Sequence, residues 1–404
     1  MKRFALIIAP VALVAATLLA VAIPANSQPP AKLRLPGARP TVDAGQYPSL
    51  QAALDALGDR GGSVRIPAGI FEINQPLILR TGDACIEGAG TATNIRNTNT
   101  DGKPALILQH PSAEDNRRAE LWRVRIANLR ITGNENSGHG IDARRINEIF
   151  IDGVTVSYHG KDGIRLYYCY EDPRICDSLI TYNKQTGVNL IGCHDIVVSA
   201  NQFEENDDAL RCFDGFNLCM TGNNLDDHLG NGVVIENTYG SVLSGNMIEE
   251  CNKTAIVLDR DCYGITLSAN VIAHNTTGGV DLRDAHGCAV SANTFTILGK
   301  DALRIGPDSG RITVTGNNFS DSYIGDGKLK RGPADRAAAG IVLEGTDNIA
   351  LVGNCFAGLK PKAITLEGDP SRRILLSENV FVDTETETGK LANSVITGNI
   401  ETTE

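Results

Sequence analysis

The chain has 404 residues, 42% of them hydrophobic and 21% charged, with 42 Gly and 16 Pro; this composition excludes a disordered or collagen-like chain. A formal charge of -11 lacks the basic footprint with which a general nucleic-acid binder neutralises phosphates. Aromatic residues make up only 5%, so the core has to be built from Ile, Val, Leu and Ala in thin layers.

Lys2 and Arg3, the apolar run from Phe4 to Ile23 and the small-x-small site Ala25-Asn26-Ser27 predict a signal peptide over residues 1–27. The expected location is therefore secreted, periplasmic or cell-surface, with no membrane contact beyond that segment. Cleavage after Ser27 removes Lys2 and Arg3 and takes the charge from -11 to -13. All ten cysteines follow the signal, in a chain expected to meet an oxidising compartment. Their pairing is not readable from spacing, and Cys212 and Cys288 fall at inward positions of the repeat described below. A linker is expected over 28–45, and a cap with irregular first coils over 46–100. In that cap, Leu50, Ala53, Leu54 and Leu57 share one helical face after Ser49 and would cover the open end of a solenoid.

From residue 140 onward a small residue followed by alternating apolar positions recurs. Its starts are Gly140, Gly163, Gly187, Ala209, Gly232, Ala255, Gly279, Ala302, Gly340 and Ala363, spaced 22–24 residues apart except for one interval of 38. Alternation over four residues predicts short half-buried strands, as in Gly232-Val-Val-Ile-Glu236. Each unit then closes on an asparagine: Asn201, Asn223, Asn246, Asn270, Asn293, Asn317, Asn354 and Asn379. Asparagine tolerates the left-handed conformation and can pass an amide hydrogen bond to its counterpart one coil away. The predicted fold is an all-β, single-stranded right-handed parallel β-helix over 101–400, carrying a loop insertion at 321–339.

In the first strand of each unit the first and third residues after the small one point inward. The outer face of the early coils then carries Asp142, Arg165, Tyr167, Asn189, Arg211 and Phe213, with His139, Lys161, Asp162, Asp207 and Asp208 at the turn mouths. Asp162 and Asp208 stand two coils apart, about 9.6 Å at strand spacing, which leaves room for the water of an inverting glycosidase. Adjacent Asp207 is placed to raise the pKa of a proton donor. Arg165 and Arg211 suit clamping of an acidic sugar, and Tyr167 suits sugar stacking. Solvated turn acids are the competing explanation for these aspartates. Asp226-Asp227-His228 has no metal spacing, so no metal is expected.

With its asparagine column, the chain resembles the pectin-lyase-like superfamily of parallel β-helices over roughly residues 45 to 400. Lys161-Asp162-Gly163, Asn206-Asp207-Asp208 and Gly138-His139-Gly140 echo polygalacturonase motifs, although the last stands upstream and an extra coil separates the two aspartates. The resemblance implies a polysaccharide substrate or ligand. It makes Asp208, Asp162, Asp207 and His139 the catalytic candidates, and Arg211, Arg165, Tyr167, Asp142, Asn189, Lys161 and Phe213 the substrate-binding ones. Hydrolysis without a cofactor is the leading expectation. A calcium-dependent lyase with Arg211 as base and a non-catalytic glycan-binding solenoid are the alternatives.

Overall fold

The computed structural model describes residues 35–320 and 339–402. The expected signal peptide and nearly all of the expected insertion, residues 321–338, lie outside the described residues. The chain divides into two units, 1–38 and 39–404. Of the first, only a turn closed by Ala38 N–H on the Leu35 carbonyl at 3.0 Å is described.

The second unit is a parallel β-solenoid whose described strands form three sheets of 18, 12 and 14 strands. Its strands are short because each alternating run is cut by a turn every few residues, and every pairing between coils is parallel. In the 12-stranded sheet the residue after each small residue stacks on its counterpart: Ile141 on Ile164, Ile164 on Val188, Val188 on Leu210, Leu210 on Val233. The register spans the interval of 38, where Leu303 pairs with Ile341. A small residue is needed at the repeat start because the next coil passes close: a Cβ on Gly140 would lie 2.6 Å from the Gly163 carbonyl oxygen.

One continuous core runs along the axis and contains Cys212 and Cys288 as fillers. No disulfide links the ten cysteines. Within the core, Phe295, Phe319, Phe356 and Phe381 stack with centroids 4.7–4.9 Å apart, one ring per coil. At the N-terminal end the helix Leu50–Asp55 forms behind Ser49, whose Oγ accepts the Ala52 N–H at 3.1 Å, and Ala53, Leu54 and Leu57 are buried. Ordered structure starts earlier than the expected linker allows, since Thr41–Asp43 already pairs with Gly62–Arg65.

The asparagine column is a continuous amide ladder. Each Nδ2 donates to the next Oδ1 at 2.9–3.0 Å from Asn201 to Asn379, and Asn379 passes the ladder to Asn399. The expected left-handed backbone belongs to the residue before each rung, among them Ala200, Gly222, Gly245, Ala269 and Ala292. Asparagine is therefore selected by its side-chain amide, while the neighbour makes the corner.

Candidate functional site

The 12-stranded sheet presents its outer face in two rows. One row is Asp142, Arg165, Asn189 and Arg211; the other is Arg144, Tyr167, Ile191 and Phe213. Strand pairing places one member of each row on each of four successive coils. Along one margin runs the column of residues that precede the small positions, with His139, Asp162, Thr186, Asp208 and Asn231 on consecutive coils. Each of these coils is tied to the next by the backbone: Gly140 N–H bonds the Asp162 carbonyl, and Gly187 N–H the Asp208 carbonyl.

Both column aspartates are buried and engaged. Asp162 Oδ1 accepts the Thr186 N–H at 3.1 Å, and Oδ2 accepts Asn189 Nδ2 at 3.0 Å. His139 Nδ1 lies 3.3 Å from that Oδ2 and accepts the Asp162 N–H at 3.2 Å. Asp208 Oδ1 accepts Asn231 N–H at 2.7 Å and Asn231 Nδ2 at 3.1 Å, whereas Oδ2 faces only Arg211 at 3.4 Å. These contacts are those of turn acids satisfying amides of the next coil. Asp207 and Lys161 are exposed at the turn mouths.

Asp142, expected on the open surface, is instead fully covered. Arg144 closes over it at 2.6 Å and Arg165 reaches it at 3.3 Å, because a short carboxylate between two long cations is a ready-made charge-assisted bridge. Arg165 also lies over the Tyr167 ring, 5.0 Å from its centroid. Arg211 pairs with Glu236 at 3.0 Å as well as with Asp208. The arginines of this face are thus neutralised by carboxylates of the protein, and the face offers hydroxyl-bonding groups and rings rather than free cations.

Sequence reasoning missed two features. Glu236 ties Arg211 to Arg260, and it was visible as the outward partner of Val234. A second polar column runs at another corner, where Asn183 Nδ2 donates to Asn206 Oδ1 at 2.9 Å, the His159 N–H donates to Asn183, and the Asn206 N–H donates to His228 Nδ1 at 3.3 Å. Both histidines are fully buried, and burial lowers each to about 4. A recurrence of His or Asn at one register, His159, Asn183, Asn206 and His228, is its only sequence signal.

Set against protein-family models, residues 116–214 and 185–332 match the NosD family, described as periplasmic copper-binding protein. Together the matches cover more than half of the sequence. The chain belongs to the NosD family. No curated protein matches it. Among solved structures, the mannuronan C-5 epimerase A-module of Azotobacter vinelandii is 16% identical with a TM-score of 0.51, covering 89% of this chain and 99% of its own. The tailspike protein of E. coli bacteriophage HK620, solved with a pentasaccharide, is 14% identical with a TM-score of 0.56, covering 85% and 66%. The catalytic unit of an α-1,3-glucanase from Streptomyces thermodiastaticus is 14% identical with a TM-score of 0.54, covering 91% and 69%. At these identities the likeness establishes the right-handed β-helix fold expected from the repeat.

The NosD family description raises the question of copper, which takes thiolate, thioether or imidazole donors. Among the described residues, the one group of three ligand-type side chains within 4.8 Å of one another is Asp226, Asp227 and Glu250, an all-oxygen set. Asp226 is raised by burial, and Glu250 by its hydrogen bond with Asp227. His228, next in sequence, is turned into the core and does not join them. Cys193 Sγ bonds the Leu166 carbonyl at 3.5 Å and Cys212 Sγ lies 3.7 Å from the Thr238 hydroxyl, and burial pushes Cys212 and Cys262 up to about 12. Protonated thiols are poor ligands, and among the described residues no three ligand-type side chains that include a histidine or cysteine come together, so the described residues do not fit a copper centre. Among the described residues, no helix is long and apolar enough to cross a membrane.

Proposed function

We propose that this member of the NosD family is an exported glycan-binding solenoid that holds a polysaccharide along the outer face of its 12-stranded sheet. The observation that carries the reading is the pairing of a polar row with a row that carries rings: Arg165, Asn189 and Arg211 beside Tyr167 and Phe213. A polymer of sugars presents hydroxyl edges and apolar faces in regular repetition, and the face answers with a polar side chain on each coil and a ring on every second coil. The internal pairing of Arg165 and Arg211 favours a hydroxyl-rich chain over a uronate. The NosD family's periplasmic description supports the exported location.

Hydrolysis is the second reading, favoured by Asp208 Oδ2, whose single contact is Arg211 at 3.4 Å. Asp162 has partners on both oxygens and would serve as its counterpart through His139. Calcium-assisted elimination has less support, since Arg211 is held by two carboxylates.

The test is incubation of the mature protein with a polysaccharide panel, with and without calcium, reading glycan affinity, new reducing ends and unsaturated uronates. The binding reading expects affinity without product, a loss of about tenfold, ~1.4 kcal/mol, in Tyr167→Ala, and little change in Asp208→Asn. Reducing ends formed by the wild type and lost in Asp208→Asn would replace binding by hydrolysis.

A further inference from the structure

A single register position at the corner between the 12-stranded and 18-stranded sheets carries a ring on successive coils. His194 pairs with Phe216, Phe216 with Tyr239, Tyr239 with Tyr263, and Tyr263 with His286. Ring centroids are 4.7 Å apart for His194 and Phe216 and 5.4 Å for Phe216 and Tyr239. On the N-terminal side the rings continue through Tyr170, 4.6 Å from His194, then Tyr168 and Tyr167. The track therefore starts on the proposed glycan face and leaves it along the solenoid axis. From Tyr170 to His286 it spans five coil steps, about 24 Å at strand spacing.

Such rings are out of place as core. Phe216 is 42% exposed and Tyr263 49%, where a packing ladder such as Phe295 to Phe381 is buried. Both margins of the track are lined with short polar groups. Asn217 donates to Asp195 at 2.8 Å, Asn237 to Asp214 at 2.5 Å, and the Tyr239 hydroxyl to Asp261 at 3.0 Å. Asp284 accepts the Asp261 N–H at 2.7 Å and stands 3.7 Å from His286. The nearby cations sit mainly at the ends, Arg145 over Tyr168 and Arg311 over Tyr263, while Arg260 is drawn aside by Glu236.

We infer that this aromatic column is a second, axial contact line for an extended, uncharged polysaccharide, continuing the grip that begins at Tyr167. Two properties select that ligand. The site repeats once per coil, so its partner must also repeat, which a folded protein surface does not. Four carboxylates along the margins repel a polyanion, whether uronate polymer or nucleic acid, and accept hydrogen bonds from hydroxyls. Rings supply apolar area at small conformational cost while amides and carboxylates fix orientation. The inference rests on the glycan reading above.

The experiment compares the wild type, Phe216→Ala/Tyr263→Ala and Tyr167→Ala by affinity electrophoresis and calorimetry. The probes are soluble neutral glucan, xylan and N-acetylated chito-oligosaccharides, beside alginate and polygalacturonate. Both truncated rings are solvent-exposed, and circular dichroism verifies that the variants keep the fold. The expected result is binding of a neutral chain, a tenfold or greater loss in Phe216→Ala/Tyr263→Ala, and affinity that grows with chain length over several sugars. Wild-type affinity in the double variant, with loss in Tyr167→Ala, would overturn the axial line and leave the face intact. Preference for the polyuronates would also overturn it, as would self-association abolished by the double variant without glycan binding. Absence of binding to every glycan would remove both readings together.

Discussion

Asn270→Ala is expected to destabilise the solenoid by roughly 3–9 kcal/mol. Asn270 Oδ1 accepts both the backbone N–H and the side-chain amide of Asn246 at 3.0 Å, while its own Nδ2 donates to Asn293 and to the Leu243 carbonyl at 3.0 Å. All of these groups lie where water does not reach, so truncation orphans two donors and one carbonyl at once, each costing about 1–3 kcal/mol. Asn270→Asp keeps the acceptor but loses both donated bonds and buries a charge, and should do no better. Urea denaturation of wild type and variants measures the effect. Because each coil leans only on its neighbours, the loss should appear as an early local transition around the fifth to seventh repeats, those of Asn246, Asn270 and Asn293, as readily as in the global midpoint. A midpoint within about 0.5 kcal/mol of wild type would mean that the ladder contributes specificity without stability.

Acid lability is the second large effect. His159 and His228 are held near 4 by burial, against about 6.5 in an unfolded chain. Below pH 6.5 the unfolded state takes up a proton on each ring that the folded state refuses, so stability rises with pH across this window. It is fully present above about 6.5 and falls progressively toward pH 4, by about 3 kcal/mol per histidine. Charged groups facing them act in opposite senses: Asp208 and Asp227 raise His228, and His139 lowers His159. His228 also leaves its buried Nε2 without a hydrogen-bond partner. Since both residues occupy rungs beside Asn183 and Asn206, His159→Asn/His228→Asn should fit the column and flatten the dependence of Tm on pH between 7 and 4.5. Curves for wild type and variant that stay parallel over this range would contradict the assignment.

Much of the fold was legible because its determinants are periodic. Alternation, small residues at coil starts and asparagines at coil ends each recur every 23 residues or so, and a parallel stack converts that period directly into register. The left-handed corner was misplaced by one residue, since Ala200, Ala269 and Ala292 adopt it without the usual glycine, and nothing in an alanine announces a positive φ. The site was legible only as a surface. Which residues face outward followed from period two, but whether an outward acid is free did not, because that depends on neighbours one coil away. Asp142 vanished beneath Arg144 and Arg165, and Asp162 became a partner of Thr186 and Asn189. The aromatic column escaped because His194, Phe216, Tyr239, Tyr263 and His286 keep the same 22–24 residue spacing as the asparagines but share no single residue type that would mark the position.

Titrating the mature wild-type protein with neutral and uronic polysaccharides, while assaying the same mixtures for new reducing ends, addresses the central claim most directly. The account predicts saturable binding of a neutral chain, weakened about tenfold by Tyr167→Ala, with no product formed. Absence of binding across the panel, or turnover that disappears in Asp208→Asn, would contradict it.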